Sequence, residues 1–114
     1  FLVSAFRKPD PAADGRQLKV TDLLDRAAER LDADEAMSAA ARGRLRDALG
    51  QTFFGLGLPD RAAALHEKAL ADYTAAAAGP DDPDTLAVMN RLSFALGHAG
   101  RHEDAIRVGE DVLA

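Results

Sequence analysis

His98 and His102 stand four residues apart, a separation at which two imidazoles on one helix can share a zinc ion with a third ligand. Gly100 lies between them and no third ligand suggests itself, so the pair does not read as a metal site. Gly55-Leu56-Gly57 resembles the opening of a phosphate-cradling loop. Such a loop follows a strand, and here Pro59-Asp60 comes next, so a helix joint explains the glycines better. Asp81, Asp82 and Asp84 gather carboxylates as a calcium loop does. Pro80 and Pro83 interrupt them and no bidentate Glu follows at loop spacing, which leaves helix capping as the better account. No Ser/His/Asp arrangement can be argued from spacing. No catalytic residue, metal ligand or cofactor is therefore expected.

The elements that would position any site are helical. Hydrophobic residues make up 47% of the 114 and are mostly Ala and Leu, with 5% aromatic residues and no Trp. That composition suits close helix packing through small side chains, and nowhere does an alternating strand pattern run between turns. Residues 1–50 carry nine Lys/Arg and nine Asp/Glu, whereas 51–114 carry five and ten, so the net charge of −5 arises in the second part. An acidic chain has no electrostatic reason to bind nucleic acid or an anionic membrane. Arg42, Arg44 and Arg46 form the one basic cluster and read as a solvated helix face. Without cysteine there are no disulfides, and no apolar run is long enough to span a bilayer.

Residues 1–6 read as the last turns of an upstream helix stopped by Pro9 and Pro11, and 8–19 as a connector. Thr21 is placed to cap a helix that carries Leu23, Leu24, Ala27, Ala28 and Leu31 on one apolar stripe to about Asp32. After a polar break, residues 36–55 return to helical period, with Met37, Ala41, Leu45, Ala48, Leu49 and Thr52 on or near one face. Gly57 and Pro59 make a tight joint to a helix whose stripe is Ala62, Leu65, Ala69, Leu70 and Tyr73. A second break at Gly79-Pro80-Asp81-Asp82-Pro83 precedes a helix capped by Asp82. That helix buries Val88 or Met89, then Leu92, Ala95, Leu96 and Ala99. Gly100-Arg101 is the second joint, and Ala105, Ile106, Val108, Val112 and Leu113 line the last helix.

Leu49 and Leu92, Gly57 and Gly100, and Ala62 and Ala105 are each 43 residues apart, and a shared offset of this size signals stacked helical repeats. The residues Leu49-Gly50, Phe53, Gly57, Ala62 and Ala69, then Leu92-Ser93, Leu96, Gly100 and Ala105, resemble the tetratricopeptide repeat over about 41–114. His66, His102 and Gly109 depart from that pattern, since bulky apolar residues are usual at 66 and 109 and Tyr is common at 102. With GPDDPDTL before the second copy, the chain is similar to the extended variant found in kinesin light chains and many bacterial proteins. The opening third, through Phe1-Leu2, Phe6, Asp10-Pro11, Gly15, Thr21, Leu24-Asp25-Arg26 and Arg30-Leu31, resembles the junction before the repeats of bacterial eukaryote-like serine/threonine kinases. That likeness implies a kinase domain upstream, although the HRD and DFG signatures are absent from the chain itself.

The resemblance implies an all-α fold of antiparallel helix pairs stacked as a right-handed superhelix. Residues 1–18 would be an upstream helix end and connector, 19–35 a degenerate half repeat, 36–78 the first pair and 79–114 the second. It also implies a groove lined by the first helix of each pair, where the family pattern places Arg44, Asp47, Gln51 and Phe54, then Ala87, Asn90, Arg91, Phe94 and His98. Such a surface would bind a peptide or partner protein, unless the two phenylalanines merely pack against neighbouring helices. The alternative is a structural scaffold or self-association segment with no groove. No nucleic-acid partner and no membrane insertion by this segment are expected; the compartment stays open, with the cytoplasm favoured and a membrane-anchored parent allowed.

Overall fold

The computed structural model describes residues 11–76 and 82–113. Five α-helices make up the described chain: α1 (Pro11–Ala33), α2 (Ala39–Gly55), α3 (Pro59–Ala75), α4 (Pro83–His98) and α5 (His102–Leu113). They divide between two compact units, 1–33 and 34–114.

In the first unit α1 starts at Pro11, so the stretch from 11 to 19 is helical where a connector was expected. A proline lacks only an N–H that the first turn leaves unpaired anyway, so it opens a helix as readily as it stops one. Thr21 accordingly lies inside α1 instead of capping it. Leu31 is buried and Leu24, Ala27 and Ala28 half-buried, as the expected stripe requires, but Leu23, expected on the same stripe, is 62% exposed, so the inward face is narrower than its apolar spacing suggested. The expected upstream helix end, at residues 1–6, lies outside the described residues.

The second unit begins with a turn that Asp34 makes, its Oδ1 accepting from the backbone of Ala36 and Met37 at 3.0 and 3.2 Å. The helix expected from residue 36 therefore starts at Ala39, with Ser38 as cap accepting from Ala41 N at 3.1 Å. Arg42 reaches back to donate to the carbonyls of Asp34 and Met37. Arg46 Nη1 crosses to α3 and donates to both oxygens of Asp72, at 2.8 and 3.0 Å, with both side chains nearly buried. The expected solvated arginine face therefore reduces to Arg44; the other two guanidinium groups hold the fold together.

Helix α2 also buries a different face from the one its apolar spacing suggested. Gly43, Asp47, Gly50 and Phe53 are the buried positions, and Leu45 is 46% exposed. The reason is close approach. A Cβ on Gly43 would lie 3.2 Å from both Asp72 Cβ and Tyr73 Cε1 on α3, so the missing side chain sets the helix separation. On α3 the expected residues Ala62, Leu65, Ala69 and Tyr73 are buried and Leu70 is partly so. On α4 Val88, not Met89, takes the buried position, with Leu92, Ala95 and Leu96. On α5 Ala105 and Val108 are half-buried, whereas Ile106 is 61% exposed.

The two joints are built alike. Gly57 has φ +79 and Gly100 φ +83, and Leu58 N→Phe53 O at 3.0 Å is matched by Arg101 N→Leu96 O at 2.9 Å. These backbone bonds close the helix ends, and the short links fold α2 with α3 and α4 with α5 as antiparallel pairs, α3 packing on α4. Asp82 caps α4 as expected, accepting from Asp84 N and Thr85 N at 2.9 and 3.3 Å, with Pro83 in the first turn. The preceding Gly79-Pro80-Asp81 break lies outside the described residues.

An added Cβ meets nothing within 4 Å at Gly57, Gly100 or Gly97. Gly57→Ala and Gly100→Ala should therefore each destabilise by about 1 kcal/mol through left-handed backbone strain alone. Gly97→Ala, inside α4 at ordinary helical geometry, should instead stabilise by about 0.5–1 kcal/mol. Urea midpoints of the three variants check the opposite signs.

Candidate partner-binding groove

The glycine joints leave α2 and α4 side by side, and their polar and aromatic residues face one concavity. Gln51, Phe54 and Gly55 from α2, His66 from α3, and Asn90, Arg91 and Phe94 from α4 line a pocket of about 480 Å³. A more open depression continues past it over Asn90, Ser93, Phe94, Gly97 and His98.

Three rings form one wall. Phe54 and Phe94 have centroids 5.6 Å apart at 46°, His98 stands edge-on to Phe54 at 5.0 Å, and His98 lies 4.6 Å from Phe94. These separations suit tilted aromatic pairs. His98 Nδ1 lies 3.0 Å from the carbonyl of Phe94, so that nitrogen donates. Phe94 nevertheless stays 61% exposed.

Beneath the rings lies a polar floor drawn from three helices. Asp47 of α2 is 6% exposed. Its Oδ1 lies 2.8 Å from His66 Nδ1 of α3, and its Oδ2 accepts from Arg91 Nη2 of α4 at 2.8 Å. Arg91 Nε adds a donation to Oδ1 at 3.2 Å, and the Gln51 amide oxygen, turned toward the guanidinium, accepts from Nε and Nη2 at 3.0 and 3.3 Å. Burial pushes the Asp47 carboxyl upward, but the His66 contact and the Arg91 charge outweigh it, so its pKa sits below the ordinary value of 3.8.

His66 is 1% exposed because its ring lies directly on the backbone of Gly50, where a Cβ would come within 2.6, 2.8 and 2.9 Å of ring atoms. The small residue on α2 and the unusual histidine on α3 are thus one packing solution. At the equivalent place in the second pair, 43 residues on, Ser93 faces Gly109, whose Cβ would lie 3.6 Å from Ser93 Oγ. Ser93 Oγ instead donates to Ala105 O at 2.9 Å.

Of the residues the sequence pointed to, Gln51, Phe54, Asn90, Arg91, Phe94 and His98 come together here. Asp47 lies under the surface, Arg44 is exposed outside the pocket lining, and Ala87 is half-buried and outside it too. Gly55 and His66 were not foreseen as lining. For His66 the signal was present, since a ring that hydrogen-bonds interrupts the apolar stripe from Ala62 to Ala69.

The family profile described as Tetratricopeptide repeat matches residues 42–114, which spans both helix pairs. The chain belongs to the tetratricopeptide repeat family. No curated protein and no solved structure matches it. Tetratricopeptide repeats generally mediate protein–protein interaction and are non-catalytic modules. Its helices fit the right-handed superhelix of repeat pairs. Among the described residues no group of His, Asp and Glu could hold a metal ion, and no helix is long and apolar enough to cross a membrane.

Proposed function

We propose that the tetratricopeptide groove between α2 and α4 binds an extended peptide or a partner helix of another protein. The observation that carries this reading is Phe94, exposed yet stacked on Phe54 and His98, beside the exposed amide of Asn90. A ring anchor with a neighbouring amide that can pair with a peptide backbone suits such a ligand. Asn90→Ala combined with Phe94→Ala should weaken capture of the partner by about thirtyfold or more, the scale of a centrally placed aromatic hot spot. Helicity should be unchanged, because neither side chain is buried. Pull-down with partner identification by mass, alongside circular dichroism, makes the comparison; undiminished capture would sink the assignment. Arg91 is left intact because removing it strands the buried Asp47 carboxylate.

The likeness of the opening third to bacterial kinase junctions supports a further step, in which the module recruits substrates or regulators to an attached serine/threonine kinase. The upstream reading frame tests it: a glycine-rich loop followed by HRD and DFG would support the attachment, and their absence would end it. A scaffold or self-association role is favoured separately by the exposed Leu45 and Ile106, at 46% and 61%. Light scattering showing a monomer over a wide concentration range would remove that reading.

A further inference from the structure

The wall of the groove offers two kinds of anchor, a set of rings and a guanidinium, and they differ in what remains available. Among the described residues, Arg91 is the one Lys or Arg lining the pocket. Two of its three nitrogens donate inward, to both oxygens of Asp47 and to the Gln51 amide oxygen. A carboxylate on a ligand would compete for that guanidinium with a carboxylate that is already in place, paired through two oxygens and shielded from water. The rings face no such competitor. The wider charge points the same way, because residues 34–114 carry eight Lys/Arg against thirteen Asp/Glu, a field that disfavours acidic ligands.

We infer that the anchor subsite of the groove takes an uncharged aromatic or branched aliphatic side chain. The buried Asp47, which does not line the pocket, sets that preference by holding the Arg91 guanidinium against the floor. The inference rests on the peptide-groove reading and adds to it the class of ligand and a positioning residue that lies outside the contact surface. The occupant is a short linear peptide from another protein, with a neutral anchor over Phe54, Phe94 and His98.

Random linear peptides displayed on phage and selected on the whole chain test this, with selected peptides then synthesised and titrated. On the native protein, selection should enrich an aromatic or branched aliphatic anchor. Titrations should lose roughly tenfold or more in affinity with Phe94→Ala, and with uncharged flanks they should barely respond to salt. Asp47→Asn releases the guanidinium and should raise affinity for peptides carrying Asp or Glu at the anchor position by roughly tenfold. Should that variant fail to fold, the salt response and the anchor preference of the native protein still decide the matter. Enrichment of acidic anchors on the native protein, or strongly salt-sensitive binding, would overturn the inference and leave the groove standing. Absence of any peptide whose binding depends on Phe94 would overturn the groove reading with it. Selection of peptides matching this chain's own sequence would replace the foreign ligand by a second copy.

Discussion

Phe53→Ala is expected to cost about 3–5 kcal/mol, the range for deleting a buried phenylalanine and leaving its cavity. Phe53 is 1% exposed and is the largest of the fully buried side chains. It stands at the end of α2, where its carbonyl also accepts from Leu58 N in the joint to α3. An alanine keeps the backbone bond and removes the ring, so the loss is one of packing. The domains of this size class are stable by only about 5–15 kcal/mol, and the change removes a third or more of that. Leu45→Ala on the same helix, at a side chain 46% exposed, should cost under about 1 kcal/mol. Urea unfolding followed by far-UV circular dichroism gives both values; equal losses would show that the burial on α2 has been misassigned.

Asp47→Ala should rank next, at about 3 kcal/mol near neutral pH, because it removes one member of a buried charged cluster and leaves Arg91 and His66 facing a void. Arg91 is 37% exposed at its side chain, and the water that reaches it keeps the loss toward the low end. The pH dependence separates charge from shape. The folded pKa of Asp47 lies below its ordinary value of 3.8, so the unfolded chain binds the proton first as pH falls. The stabilisation from the carboxylate is therefore complete above the ordinary carboxylate range and is lost as pH falls through the folded value. Asp47→Asn, which preserves the shape, should be less stable than the native protein near pH 7, with the gap closing as pH falls through the folded carboxyl value. A gap that persists unchanged in strong acid would show that the charge of Asp47 contributes nothing.

The two joints and the cap at Asp82 were legible in the sequence because they depend on local chemistry, whereas Thr21, expected as a cap, lies inside the helix that Pro11 opens. Gly57 and Gly100 are needed for positive φ, and Asp82 with Pro83 fits a helix start, whatever lies elsewhere in the chain. The stripes of α3 and α4 were legible for a related reason, since their buried residues are mostly apolar. Helix α2 was not, because the face it buries consists of two glycines and a carboxylate besides Phe53. Hydropathy cannot distinguish a glycine that admits a neighbouring helix from one on the surface, and it scores a compensated Asp as exposed. Arg42 and Arg46 were misread likewise, because their partners Asp34 and Asp72 are set by the turn and by the α2–α3 crossing. The start of α1 was missed because Pro11 is compatible with ending one helix and with beginning another. Six of the groove residues were reached only through the family pattern; Phe94 and His98 are four apart on α4, but Phe54 is forty residues from Phe94, too far for spacing to bring its ring to them.

The polar floor also fixes the order of the repeats. Shifting by the 43-residue offset places Ala48 in register with Arg91, and Asn90 in register with Asp47. A chain in which the first helix pair was duplicated in tandem would therefore set an alanine where the guanidinium should be, and leave a buried carboxylate with His66 alone. Shuffling the pairs into the opposite order would likewise separate Asp47 from Arg91. The two helix pairs are consequently not interchangeable modules: each one encodes which neighbour may follow it, and gene duplication could lengthen the array here only together with a compensating cation.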